Sequence, residues 1–321
     1  MRAQRGVALI TVMLVVAVAT VVSAGIIARQ QLSIRSSANQ LHVRQAWHYA
    51  LGGETLAKAV LRRDLQQGDP QAPVDHLGEP WAQPLVPFAL DEGGELRVRI
   101  LDPTGRFNLN SLVRQGQANA AALGQFRRLL LGLQIEAPYA ERLLDWLDAD
   151  QEPSGGYGAE DNQYVLAQPA YRAANRALAD VSELRLLLEM SETDYQRLLP
   201  FVTSLPADAT LNVNTASARV LASLAEGLPL STAEALVARR ADQGYPDVPG
   251  FLGQLPGLSV QGQGLAVGSQ YFQVISEVSV GERRQVLRST LQRASDGKLY
   301  VLSRDLGQSG VPPAPVEEVE R

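Results

Sequence analysis

The sequence predicts an α+β fold: a long N-terminal helix packed on a small antiparallel sheet, with a large all-α domain inserted into a loop of that sheet. Three observations carry this. Residues 1–69 contain no proline, and apolar positions keep helical spacing across most of them. Strand alternation occurs only near residues 95–102 and again after 270. The stretch between carries helical signals, and a helical block flanked in sequence by strands of one sheet is an insertion.

The helix comes first. Residues 7–28 (VALITVMLVVAVATVVSAGIIA) contain no charged side chain and follow a short basic leader, residues 1–6 (MRAQRG). At ~1.5 Å per residue the run covers about 33 Å, enough for a hydrocarbon layer of about 30 Å. Three readings compete: a secretory signal cut after Val22-Ser23-Ala24, an uncleaved anchor, or a leader cut after Gly6. The run is long for a signal-peptide core of roughly 7–15 residues. Beyond Arg29 the pattern continues through Val43, Ala46, Trp47, Ala50, Ala57, Leu61 and Leu65. The sequence therefore predicts a transmembrane part over 7–28 and an extramembrane part over 29–66, with a bend or local break at Gly52-Gly53. An anchor followed by an unrelated amphipathic helix is the alternative.

From residue 67 the chain turns rich in Pro, Gly and Asp and reads as loop up to 94. ELRVRILD (95–102) alternates as a half-buried strand. Helical signals follow in AAALGQFRRLLLGL, YAERLLDWLD, VSELRLLL and TASARVLASLA. YFQVISEVSV, RRQVLRSTLQR and KLYVLSRD then read as strands joined at Gly281-Glu282 and Ser295-Asp296-Gly297. This divides the chain into a sheet domain (67–107 and 268–306), an inserted helical domain (108–267) and a Pro-rich tail (307–321) expected to be disordered. GRFNLNSL (105–112) echoes ATLNVNTA (209–216), and helix capping by Asn110, Asn214 or the hydroxyls after them accounts for the echo.

Composition excludes several functions. The net charge of −5 argues against a general nucleic-acid binder. The absence of cysteine excludes disulfides, thiolate metal sites and cysteine nucleophiles. His42, His48 and His76 are the only histidines, too few for a multi-histidine zinc site, and Ser-His-Asp chemistry would need one of them.

The densest acidic cluster is Asp145, Asp148, Asp150, Glu152, Glu160 and Asp161, with Gly155, Gly156 and Gly158 between. Carboxylates at alternate positions of a flexible loop suit a hard cation that takes six to eight oxygens. The pattern is not an EF-hand: Pro153 stands where that loop needs glycine, and Glu160 falls one residue late. A solvated acidic loop is the plain alternative. A glycosidase acid/base pair is disfavoured, because aromatic residues are only 6% of the chain. Residues 211–258 resemble a helix-hairpin-helix scaffold, but Glu226, Pro229 and a missing second glycine spoil the phosphate-binding turn, and Arg239-Arg240 is the only basic pair nearby.

The N-terminal run behind Arg5-Gly6, followed by RQQLSIRSSANQLHVRQAWHYALGGE, resembles type IV pilin-like proteins. Through LDPTGRFNLNSL, LLDWLDADQEPSGGYGAEDNQY, LNVNTA and the terminal strands it is most similar to the minor pseudopilin K family of the bacterial type II secretion system, over nearly the whole chain. The resemblance implies a pilin-like body and cleavage between Gly6 and Val7 by prepilin peptidase, with methylation of the new amine. It implies a single-pass inner-membrane protein with its bulk in the periplasm and no enzymatic activity. It further implies partnership with minor pseudopilins I, J and H at the tip of the major pseudopilin filament. It implies calcium in the inserted domain, with Asp148, Asp150, Glu152, Glu160 and Asp161 as ligands and Asn162 and Asn175 as further candidates. One departure is informative: Thr11 stands where most pilins carry a glutamate that pairs with a neighbour's N-terminal amine. A lone carboxylate in a bilayer is costly, and a subunit without it need not pair with one ahead, which suits a tip. A DNA-uptake pilus component and a membrane-anchored periplasmic hydrolase are the alternatives.

Overall fold

The computed structural model describes residues 5–69, 72–91, 93–240, 243–281 and 283–306. Residues 1–4 of the expected leader and the tail over 307–321, the expected disordered segment, lie outside the described residues. Helix α1 (Arg5–Gln67) is continuous, as its proline-free sequence allows. Gly52-Gly53 does not break it. A Cβ on Gly53 would stand 2.5 Å from Ser276 Oγ and 2.9 Å from Val98 Cγ2. The glycine therefore permits close approach of helix to sheet, and the expected bend is corrected to a packing contact.

The sheet has the order β1-β2-β9-β10-β11, all antiparallel: β1 (Phe88–Ala89), β2 (Gly94–Leu101), β9 (Tyr271–Val280), β10 (Arg283–Arg293) and β11 (Leu299–Asp305). Ala46, Ala50, Ala57 and Leu61 of α1 bury against Val98, Ile100, Phe272, Val274, Val278, Leu287 and Leu291, and Trp81 closes this core edge-on to Phe272. β1 lies within the stretch read as loop, because two residues are too few for a recognisable alternation.

Glu54 fastens the far edge of the sheet to α1. Its carboxylate accepts from Arg304 Nε at 2.7 Å, Ser289 Oγ at 2.8 Å and Lys58 Nζ at 3.0 Å. Burial opposes its charge, but Arg304, Lys58 and Ser289 outweigh burial and hold the carboxyl at about 2, below its ordinary 4.5. A lowered folded-state pKa stabilises above the unfolded value and is lost as pH falls. Glu54→Gln is therefore expected to cost about 2–3 kcal/mol at pH 7. The difference from the parent should vanish between pH 4.5 and about 2 in denaturant titrations. A cost independent of pH in that window would refute the linkage.

Leu101 pairs with Gln273, so the chain leaves the sheet and returns to it on neighbouring strands. The insertion has two halves. The first carries β3 (Phe107–Asn108), β4 (Val113–Arg114), β5 (Gln117–Ala118), α2 (Ala120–Gly132), α3 (Tyr139–Leu147), α4 (Asp161–Tyr164), α5 (Glu192–Leu198) and β6 (Val202–Thr203). The second carries β7 (Leu211–Asn212), α6 (Ala218–Ala222), α7 (Leu230–Arg239), α8 (Val248–Leu252) and β8 (Leu265–Ala266). Two expectations are corrected here. The block is helical but not strand-free, since two-residue ladders close each half. The segment VSELRLLL forms a 3-10 helix over Val181–Leu186, which ends where Leu187 turns extended.

The echo between 105–112 and 209–216 is structural. β3 pairs with β6 and β7 with β8, both parallel. Asn110 does not cap a helix: its Oδ1 accepts from Leu178 N at 2.8 Å, and its Nδ2 donates to Leu178 O at 3.0 Å and Leu205 O at 2.9 Å. Asn214 repeats this at Tyr245, accepting from its N–H at 2.6 Å and donating to its carbonyl at 3.0 Å and to Val267 O at 3.2 Å. Buried amides that satisfy both backbone groups of a distant residue pin that loop in place. The Ser111 hydroxyl donates back to the Asn108 carbonyl and the Thr215 hydroxyl to Asp102 Oδ2, rather than accepting from helix N–H groups.

The two stems of the insertion meet at Asp102. Its carboxylate accepts from Thr104 N at 2.7 Å, and from the hydroxyls of Thr104, Thr215 and Ser269 at 2.5 Å each. Arg293 of β10 reaches the same joint through buried Asp75 and Ser269 O.

Candidate functional site

The acidic loop hangs between two buried anchors. Helix α3 is amphipathic and buries Leu143, Leu144, Trp146 and Leu147, which fixes its C-terminus. Asp148 follows as its cap, with extended backbone that turns the chain into the loop. On the far side Tyr164 of α4 packs edge-on against Trp146 at 5.2 Å between ring centroids. Buried Asp145 organises the loop from within, accepting from Ser154 N at 2.9 Å. Gly158 passes so close that a Cβ would lie 2.1 Å from Asp145 Oδ2, so a side chain there would displace the loop.

This scaffold brings Asp148, Asp150 and Glu160 together, with one carboxylate oxygen from each mutually within 4.8 Å. Both carboxylate oxygens of Glu160, which is 1% exposed, have no hydrogen-bond partner. Asp148 Oδ1 and Asn175 Oδ1 are buried without one as well. Burial of unpartnered carboxylate oxygens is costly unless a cation meets them. Burial first, then the neighbouring Asp150 and Asp145, pushes Asp148 up to about 6. Burial, then Asp145, Asp148 and Asp150, pushes Glu160 up to about 7. The donors are all oxygen and no histidine joins them, so the chemistry suits a hard divalent cation.

Two of the expected ligands stand apart. Glu152 is exposed, and its N–H donates to Asp150 Oδ1 at 2.9 Å, so its backbone shapes the loop while its carboxylate faces water. Asp161 is spent on the neighbouring segment: Oδ1 accepts from Ala173 N at 3.0 Å and Oδ2 lies 3.6 Å from Arg172. Asn162 is exposed. Asn175 does reach the loop, donating from Nδ2 to Asp150 O at 3.1 Å and leaving Oδ1 buried. It holds a left-handed backbone, φ 47°, which asparagine tolerates better than most residues. No local spacing links it to the acidic run.

The helix-hairpin-helix segment also resolves. Gly227 takes φ 76° in the turn between α6 and α7. Arg240 is buried and bonds Val213 O, whereas Arg239 is exposed and bonds Gln254 Oε1 at the surface.

At the N-terminus, the apolar stretch of α1 is long and hydrophobic enough to cross a membrane, and none of it is buried against the protein. Val7 opens that exposed surface. Gly6 lies in the first turn of the helix. Thr11 Oγ1 donates back to Val7 O at 3.2 Å and Ala8 O at 2.9 Å, satisfying its hydroxyl without a partner chain.

Comparison with known proteins agrees with this layout. Residues 105–207 and 211–274 match two family models, both described as type II secretion system protein K, and these segments coincide with the two halves of the insertion. The chain is 62% identical to the type II secretion system protein K of Pseudomonas aeruginosa over 319 residues, spanning 97% of this chain and 95% of that protein. It is 39% identical to the protein of the same name from Klebsiella pneumoniae, over 90% of this chain and 93% of that one. Among solved structures it resembles a chain of the GspK-GspI-GspJ complex from enterotoxigenic Escherichia coli, with a TM-score of 0.74 and 29% identity over 85% of this chain and 99% of that chain. The continuous N-terminal helix, the small sheet and the paired helical insertion, together with these matches, place the chain in the type II secretion system protein K family, the minor pseudopilin K.

Proposed function

We propose that this minor pseudopilin caps the pseudopilus tip with pseudopilins I, J and H and helps initiate the filament that exports folded proteins. The observation that carries the reading is the match to the K chain of a solved K–I–J complex, which spans 99% of that chain. Thr11 supports it, because a self-satisfied hydroxyl needs no subunit ahead. In this reading prepilin peptidase cuts between Gly6 and Val7, and the new amine is methylated. Residues 7–28 then cross the inner membrane once, leaving the bulk in the periplasm, and the exposed face of α1 packs on neighbouring helices including those of the major filament. The role is structural rather than catalytic and involves no nucleic acid. A calcium ion held by Asp148, Asp150 and Glu160, within reach of Asn175 Oδ1, stiffens the insertion. Glu152 and Asp161 shape the surrounding loop.

The test is co-purification of the full chain with I and J from detergent extracts, together with N-terminal sequencing. A one-to-one-to-one complex and a methylated Val7 are expected. A mature N-terminus at Gly25 would instead mark a cleaved secretory protein, and salt-dependent binding to duplex DNA would favour an uptake pilus.

A further inference from the structure

Between the end of the apolar run at Ala28 and the first buried residue of α1, Ala46, the helix stands clear of the protein. Every residue from Arg29 to Leu41 is exposed. At ~1.5 Å per residue, residues 29–45 cover about 25 Å. This length is not a plain polar spacer, because Leu32, Ile34, Leu41 and Val43 are 67%, 61%, 55% and 50% exposed. Leu32 and Val43, about three turns apart, share one face, and Ile34 and Leu41, about two turns apart, share another.

The charge of this segment has one sign. The first acidic residue of the chain is Glu54, whose carboxylate is committed to Arg304, Ser289 and Lys58. Before it the exposed helix carries Arg29, Arg35 and Arg44, which form no ion pair or hydrogen bond by their side chains among the described residues. Arg29 and Arg35 lie one turn before and one turn after Leu32, about 60° to either side of it, and Arg44 stands likewise beside Leu41. Charges that flank an apolar row select its partner by complementarity.

A second copy does not meet that need. Anchored through the same apolar run, it would lie parallel and bring arginine towards arginine, with no carboxylate on either helix before Glu54. Lipid does not meet it either. Arg44 lies about 22 Å along the axis from Arg29, whereas a headgroup layer is about 5–8 Å deep and charge is screened over about 8 Å. Leu41 and Val43 stand at the same height as Arg44, beyond the reach of hydrocarbon.

We propose that residues 29–45 form the docking face for a parallel helix of a different membrane-anchored chain, one that carries carboxylates within about 25 Å of the membrane surface. The one-signed charge bars the protein from pairing with itself there. This rests on the filament-tip reading above, which supplies neighbouring helices, and adds the charge rule that selects among them.

The test compares the full chain, co-produced with pseudopilins I and J and extracted in detergent, with Arg35→Glu/Arg44→Glu. Both side chains are exposed, so the variant should melt with the parent. Its capture of I and J is expected to fall at least ten-fold at low salt, and parent capture should weaken as salt rises. Arg35→Lys/Arg44→Lys, which keeps the charge, should capture as the parent does. The parent alone should be monomeric in nanodiscs. Equal capture by the parent and the charge-reversed chain overturns the proposal and leaves the filament-tip reading standing, whereas no capture even by the parent overturns both. A parent dimer overturns the proposal too. So does equal capture joined to a charge-dependent preference for phosphatidylglycerol nanodiscs over phosphatidylcholine ones, which would assign the arginines to lipid.

Discussion

Adding EDTA is expected to lower the melting temperature of the insertion by roughly 5–10 °C at pH 8. A ligand at about 100 times its Kd contributes about 2.7 kcal/mol, and each kcal/mol is worth roughly 2–4 °C at this domain size. The source is the cluster of Asp148, Asp150 and Glu160, whose carboxylates face each other with buried, unpartnered oxygens. Without a cation their folded-state pKa values lie above the unfolded ones, about 6 for Asp148 and about 7 for Glu160. The cation-free fold therefore holds more protons than the unfolded chain and loses stability as pH rises through 7. A cation must displace those protons. Calcium should bind more tightly at pH 8 than at pH 5.5 and release protons on binding near neutrality, which titration in two buffers of different ionisation heat measures. Asp148→Ala with Asp150→Ala should abolish the calcium-dependent gain, yet in EDTA it should melt no lower than the parent, since it relieves like-charge repulsion. A parent melting curve indifferent to EDTA and calcium at pH 8 would sink the site.

Arg293→Met is expected to cost about 3–5 kcal/mol, the range for removing one partner of a buried ion pair. Arg293 and Asp75 have side chains 5% and 1% exposed, and the arginine also donates to Ser269 O at 2.7 Å. Removal strands Asp75 and frees one stem of the insertion, so loss of stability should come with faster amide exchange around Ser269 and Asn212. The cost should grow with pH. Burial, then Glu79 and Asp75, already pushes Asp64 up to about 7 while Arg293 opposes them, so removing the cation makes ionisation of Asp64 costlier still. A loss below about 1 kcal/mol would show that water reaches the pair, as for an exposed salt bridge. Pairing the change with Asp75→Leu should recover part of the loss.

Much of the architecture was legible because it rests on periodicity. Residues 95–102 and 271–305 alternate with period two, and the first 67 keep helical spacing with no proline, so sheet and helix follow from side-chain geometry. The insertion followed from the order of those elements. Short ladders such as β3 with β6 were not legible, because two residues carry no period. The acidic cluster was half legible. Asp148, Asp150 and Glu160 lie in one acidic run, but nothing local separates them from Glu152 and Asp161, which differ only in where the loop turns each carboxylate.

What the sequence by itself determined is the class of molecule: a membrane-length apolar helix behind a short basic stretch, its helical continuation, a flanking sheet and a helical insertion with an acidic loop. These depend on composition and spacing, which are local. The tertiary structure alone decided that Gly53 admits the sheet rather than bending the helix, and that Asn110 and Asn214 pin distant loops rather than cap helices. It alone decided that Asn175 completes the acidic loop and that Arg293 reaches Asp75. Each of those roles depends on a partner that is remote in the chain, and burial, not sequence spacing, sets the energy of an amide or carboxylate brought against such a partner.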